Sequence, residues 1–222
     1  RLINHFNVQV QSGSLILNGG ASGGGNWVVE SGAELAFGGL GSVLQSPVFT
    51  GIGRIRQAAA AYWSNATVSG SGDMVNTAPG RLTLSGATSI TRLSFSNDGK
   101  VFLGSGATAN VNANFYNNAE LNLGTAVLNV GGDFNSGPNA VLTSRHTSAA
   151  DPARLNITGN AHLAGTLSGL FTWPATSGLY YIMTVGSRSN AFNSTIGLGL
   201  PPNTFMLLDF IGNAGKLHLA TL

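Results

Sequence analysis

Apolar residues recur along the chain in short alternations, each following a turn residue. Leu15 and Leu17, Leu35 and Phe37, Leu82 and Leu84, Val101 and Leu103, and Leu121 and Leu123 are apolar pairs with one residue between. A period of two puts alternate side chains on one face of an extended strand, so these segments predict strands. Further strands are expected ahead of several turns, at Val8 and Val10 and at Leu93 and Phe95. The turn markers are regular. Gly13, Gly32 and Gly51 follow one another at steps of 19, as do Gly80, Gly99, Asn118 and Gly137. Phe95, Phe115 and Phe134 are spaced by 20 and 19, and Asn97 and Asn117 each follow a phenylalanine by two.

Such spacing predicts ladders. A repeat of about 20 residues is the signature of a solenoid, in which each coil buries its apolar face against its neighbours. Helical readings fail, because no window carries an i, i+3, i+4, i+7 apolar stripe and glycine interrupts almost every segment. The run Ala58 to Ala61 is too short to nucleate a helix. The fold class expected is all-β: a right-handed parallel β-helix, or β-solenoid, of 19–20 residues per coil. Successive coils then stack about 4.8 Å apart, with Leu, Val and Phe ladders inside and Asn, Ser and Gly at the corners.

The pattern divides the chain into solenoid repeats over residues 1–142, a polar loop over 143–154, and final coils with a C-terminal cap over 155–222. The last part is aromatic, with Phe171, Trp173, Tyr180, Tyr181, Phe192, Phe205 and Phe210, as suits a cap closing the open end of a stack.

Composition narrows the partners. Only 8% of the 222 residues are charged and the net charge is +2, too little and too scattered for a nucleic-acid groove. The 32 glycines are about twice the usual share. With no cysteine there is no disulfide framework and no thiolate chemistry. The longest uncharged apolar stretch, Leu179 to Val185, is far too short for a transmembrane helix. The chain begins at Arg1 without a charged-then-apolar leader, as expected of a mature piece of a longer precursor.

Candidate chemistry is sparse. Glu34 with Asp73, and Asp98 with Glu120, are the conceivable carboxylate pairs, and both read better as solubilising charges. His5, His146, His162 and His218 lack metal-ligand spacing. Gly70-Ser71-Gly72-Asp73 and Gly131-Gly132-Asp133 resemble pieces of a calcium nonapeptide without its period. No catalytic residue, cofactor or metal is expected. Arg54 and Arg56 share a strand face near Tyr62 and Trp63, a set able to stack on a sugar ring, with Trp173 as a further aromatic. Asn65, Asn156 and Asn193 begin Asn-x-Ser/Thr triplets and are candidate N-glycosylation sites.

The segment Leu155-Asn-Ile-Thr-Gly-Asn-Ala-His-Leu-Ala-Gly-Thr-Leu167, followed by Ser177-Gly-Leu-Tyr-Tyr-Ile-Met183, Ala191-Phe192 and Lys216-Leu-His-Leu219, resembles the last passenger coils of bacterial autotransporter-like surface adhesins. The repeat style of Val29-Glu-Ser-Gly-Ala-Glu-Leu-Ala-Phe37 is similar to theirs. The resemblance implies a secreted or cell-surface β-solenoid and carries over no catalytic residue. The function expected is a non-enzymatic structural or adhesive module. Its partners are further copies of itself, end to end or lateral, or cell-surface glycans; the alternative is a carbohydrate-binding or polysaccharide-cleaving β-helix.

Overall fold

The computed structural model describes residues 1–39, 41–148, 154–172, 178–202, 204–211 and 214–221. The chain is an all-β parallel solenoid of about 8 turns with about 21 residues per turn. Each coil contributes strands to three faces. Face A begins with Leu2–Asn4, Ala21–Gly23, Ser42–Gln45 and Ala60–Ser64. Face B begins with Asn7–Val10, Asn26–Val29 and Val48–Thr50. Face C begins with Ser14–Ile16, Glu34–Phe37 and Arg54–Gln57.

Within each strand the period-two pattern turns apolar side chains inward, and the register stacks them into ladders. On face B the inward row runs Val8, Trp27, Phe49, Val68, Ile90, Val111, Val130, Ile157 and Val185. On face C it runs Leu15, Leu35, Ile55, Met74, Phe95, Phe115, Phe134 and Ala161. On face A it runs Ser42, Ala61, Leu82, Val101, Leu121, Leu142 and Leu167. Bulk is shared between faces. Where this row of face A offers only Ala21, Ser42 and Ala61, the space is filled by the buried rings of Trp27 and Phe49 from face B, Phe37 from face C and Trp63 from the second inward row of face A. Phe49 and Trp63 approach to 4.8 Å between centroids, and Phe95 stacks on Phe115 at 4.7 Å.

The two glycine series mark different corners. Gly13, Gly32 and Gly51 precede strands of face C, whereas Gly80, Gly99, Asn118 and Gly137 precede strands of face A. Buried asparagines line the corner between C and A. Asn76 Nδ2 donates to Asn97 Oδ1 and Asn97 Nδ2 donates to Asn117 Oδ1, each at 2.8 Å. Gln57 precedes this ladder and Ser136 follows it in register.

At the corner between B and C, Gly51 and Gly70 adopt φ of +93° and +113°. A Cβ on Gly70 would overlap the Gly51 carbonyl oxygen, so only glycine fits. The room left is taken by Arg92 from the next coil, 5% exposed. Its guanidinium donates to the carbonyls of Gly51 and Ser69 at 2.8 Å and to that of Gly53. Burial lowers the pKa of Arg92 from its ordinary value, and nearby Asp73 opposes that shift. Arginine remains charged because even a large shift leaves it well above neutrality. Arg92→Met keeps the stem and removes the donors to the buried Gly53 carbonyl and the half-buried carbonyls of Gly51 and Ser69. It should cost about 2–3 kcal/mol, read from the urea midpoint.

Two expectations of spacing are revised. Early coils step by 19 or 21 residues, as from Val43 to Tyr62 to Thr83, but Thr143 pairs with Ser168 and Ser168 with Ile196, steps of 25 and 28. The later coils carry longer excursions between strands. The polar stretch expected to loop out at residue 143 is instead partly strand. Val141–His146 continues face A, with Ser144 and His146 buried, because the polar residues still alternate and are satisfied inside. Ser144 Oγ lies 3.0 Å from His146 Nε2, and the His146 ring stacks on Phe171 at 5.2 Å.

At the C-terminal end the parallel order stops. Gly178–Ser189 pairs in parallel with Leu155–His162 on one side and antiparallel with Ala214–Thr221 on the other. Ala214–Thr221 in turn pairs antiparallel with Thr204–Ile211. On these strands Tyr180, Ile182, Met183 and Met206 are buried.

Candidate functional site

The structure separates the residues expected to form a sugar platform. Trp63 points into the solenoid and is fully buried, its ring packed against Phe49 and Phe37. It cannot meet a ligand from solvent, and its place in the set is corrected: the alternation that turns Tyr62 outward turns Trp63 inward. Arg54 and Arg56 lie on face C, across a corner from Tyr62 on face A. Arg54 is exposed. Arg56 is engaged with Glu34, donating from Nε at 3.1 Å and Nη2 at 2.9 Å to the same carboxylate oxygen. Tyr62 is the aromatic member that stays open, 43% exposed. Trp173 lies outside the described residues.

Tyr62 has other company. The outward row of face A runs Val43, Tyr62, Thr83, Phe102 and Asn122, and a neighbouring row runs Ala60, Arg81, Lys100 and Glu120. Arg81 lies over the Phe102 ring, 4.2 Å from its centroid. Lys100 is held by Glu120 at 2.9 Å. Ser85 Oγ donates to the Tyr62 hydroxyl at 2.7 Å, tethering the ring to the next coil. Arg81 and Phe102 were missed in the sequence because they are remote from Tyr62 along the chain. The available signal was the repeat itself: Tyr62 and Phe102 are 40 residues apart, two coils.

The described carboxylates do not converge. Glu34 and Asp73 occupy one outward row of face C with Arg54 between them in register. Asp73 Oδ1 accepts from Ser94 Oγ, and Asp98 Oδ1 accepts from Asn118 Nδ2, each at 2.8 Å. Asp133 Oδ1 accepts the backbone N–H of Asn160 at 2.8 Å, so the Gly-Gly-Asp motif serves a turn. Among the described residues no three His or acidic side chains gather as metal ligands.

The three Asn-x-Ser/Thr sites differ. Asn65 is exposed with φ of +52°, and its Oδ1 accepts the Ala87 N–H at 3.0 Å. Asn193 is exposed, and its Oδ1 accepts the Gly165 N–H at 2.7 Å. Asn156 is embedded in an outward ladder of face B. Its Nδ2 donates to Asn129 Oδ1 at 2.9 Å, while Asn129 Nδ2 donates to Asn110 Oδ1 at 2.8 Å. The amide nitrogen that a glycan needs is therefore already bonded at Asn156.

Comparison of the chain with protein-family models, curated proteins and solved structures finds no match. The surface geometry is therefore the ground for a functional reading. Outward polar side chains on faces B and C are largely bonded coil to coil, whereas face A presents apolar and aromatic groups beside an arginine.

Proposed function

We propose that the chain is a non-enzymatic segment of a secreted or cell-surface β-solenoid, structural or adhesive in role, of the kind that bacterial autotransporter-like passengers supply. The observation that carries this reading is where the polar groups go. Among the described residues, Asn, Ser, Thr and the few charges bond mainly from one coil to the next, which makes a stiff rod and spends these groups on holding it together. A rod of this kind acts through its length and its flat faces.

Of the two modes of self-association, lateral contact is favoured. The antiparallel hairpin breaks the parallel register that an end-to-end copy extends, and the exposed Val43, Tyr62 and Ile196 lie on one long face. Sedimentation at rising concentration, electron microscopy of the native material and a whole-cell binding assay test the proposal together. Concentration-dependent assembly or saturable cell binding is the expected result. A chain that stays monomeric at high concentration and binds no cells defeats it. Reducing-end and unsaturated-product assays across a polysaccharide panel should be silent; a turnover signal moves the chain to the polysaccharide-cleaving alternative.

A further inference from the structure

Face A brings together an exposed aromatic ring, a shallow trough and a cation that has no acidic partner among the described residues. Val43 and Tyr62 are 44% and 43% exposed in adjacent coils. Thr83 follows in the same row and Phe102 after it, so Tyr62 and Phe102 stand two coils, about 10 Å, apart with a small side chain between. A cavity of about 330 Å³ opens beside Tyr62, lined among others by Gly41, Val43, Ala60, Arg81 and Thr83. Gly41 and Ala60 keep that side low.

The charges on this face are unequal in availability. Lys100 is neutralised by Glu120 at 2.9 Å. Arg81 makes no ion pair among the described residues, and its guanidinium lies over the Phe102 ring. Stacking holds the plane of a guanidinium while leaving its in-plane N–H groups to solvent, an arrangement suited to a carboxylate taken bidentately. The tether from Ser85 fixes the Tyr62 ring in place.

We infer that this trough takes a carboxylated pyranose, such as a uronic acid residue of an acidic polysaccharide. The C–H face of the sugar rests on Tyr62 beside Val43, and its carboxylate meets Arg81. A neutral sugar leaves Arg81 without a counter-charge, and a small carboxylate without a ring leaves Tyr62 uncovered, so both parts of the ligand are needed. The inference deepens the surface-module reading by naming what the module adheres to.

The full chain is titrated by calorimetry with tetragalacturonate, with its methyl ester and with a neutral galactose tetrasaccharide. Binding of the acid is expected, weakened about tenfold or more in the ester, in the neutral sugar, in Arg81→Gln and in Tyr62→Ala. Arg145→Gln, at an exposed arginine of the same face in a later coil, should stay within about twofold of the parent. Circular dichroism melts check that each variant folds. No binding of the acid, equal binding of the ester, or full binding by Arg81→Gln overturns the inference. Cell binding that persists in both Arg81→Gln and Tyr62→Ala sinks this site while leaving the surface-module reading intact.

Discussion

Trp63→Ala is expected to cost about 3–5 kcal/mol, read as a shift of the urea midpoint. The residue is fully buried, and its ring lies 5.7 Å from Phe37 and 4.8 Å from Phe49 between centroids. On face A Trp63 stacks in register between the buried Leu44 and Leu84, which strand pairing holds in their own coils, and the other inward row beside it offers only Ser42 and Ala61, so no neighbour on that face can move across to fill the space. The void remains, and the cavity contribution adds to the lost transfer energy. Trp63→Phe should be far milder, about 1 kcal/mol. The indole Nε1 has no hydrogen-bond partner, so phenylalanine removes an unsatisfied buried donor while giving up some volume. In a stack where each coil is stabilised by its neighbours, the alanine variant should also broaden the transition as coils on either side uncouple. An alanine variant as stable as the parent places Trp63 at the surface and returns it to the sugar-binding set.

The ladders were legible because one physical rule generates them. Strand alternation plus a fixed coil length predicts Phe95, Phe115 and Phe134 as neighbours in space, and they are. The same rule explains the low charge. Like charges repeated at one coil position sit about 4.8 Å apart, whereas Asn97 and Asn117 at one position bond each other.

What the pattern could not carry was parity and phase. Tyr62 and Trp63 are adjacent in sequence and opposite in direction, and only the pairing of Ala60–Ser64 with its neighbours decides which is outside. The two glycine series share a step but mark different corners, so their common spacing says nothing of which face a strand belongs to. Residues 143–146 read as a loop because they are polar, although they continue the strand Val141–His146, whose Leu142 lies 21 residues on from its partner Leu121; the step lengthens to 25 and 28 only after this strand, and there the phase is lost. The site on face A was hidden for the same reason. Arg81 and Phe102 join Tyr62 through register, which composition and local spacing do not contain.

The buried asparagine ladder yields the second large effect. Asn97 is fully buried; its Nδ2 donates to Asn117 Oδ1 at 2.8 Å and to the Glu120 carbonyl at 2.9 Å, and its Oδ1 accepts from Asn76 Nδ2 at 2.8 Å. Asn97→Asp preserves the shape and replaces the donor with an oxygen facing two acceptors. At neutral pH the loss should exceed about 3 kcal/mol, since a buried carboxylate is left facing oxygens with no counter-charge. The folded protein favours the protonated acid, which restores one donor, so the carboxyl pKa is raised above its unfolded value of about 3.9. The sign follows from that direction. Below the unfolded value both states are protonated and the penalty is smallest; it grows as pH rises from there to the folded value and is constant above it. Urea midpoints of variant and parent, compared at the same pH, remove the contributions of Asp73, Glu120 and the other native acids. Asn97→Leu separates charge from the loss of hydrogen bonds. It should cost about 2–3 kcal/mol by removing the donor to Asn117 Oδ1 and the Glu120 carbonyl and one of the two acceptors of Asn76 Nδ2, which keeps the Lys100 carbonyl, with no pH dependence of its own. Equal, pH-independent losses for the aspartate and leucine variants would mean that the ladder position is open to water, and that the asparagines hold the coils in register by packing alone.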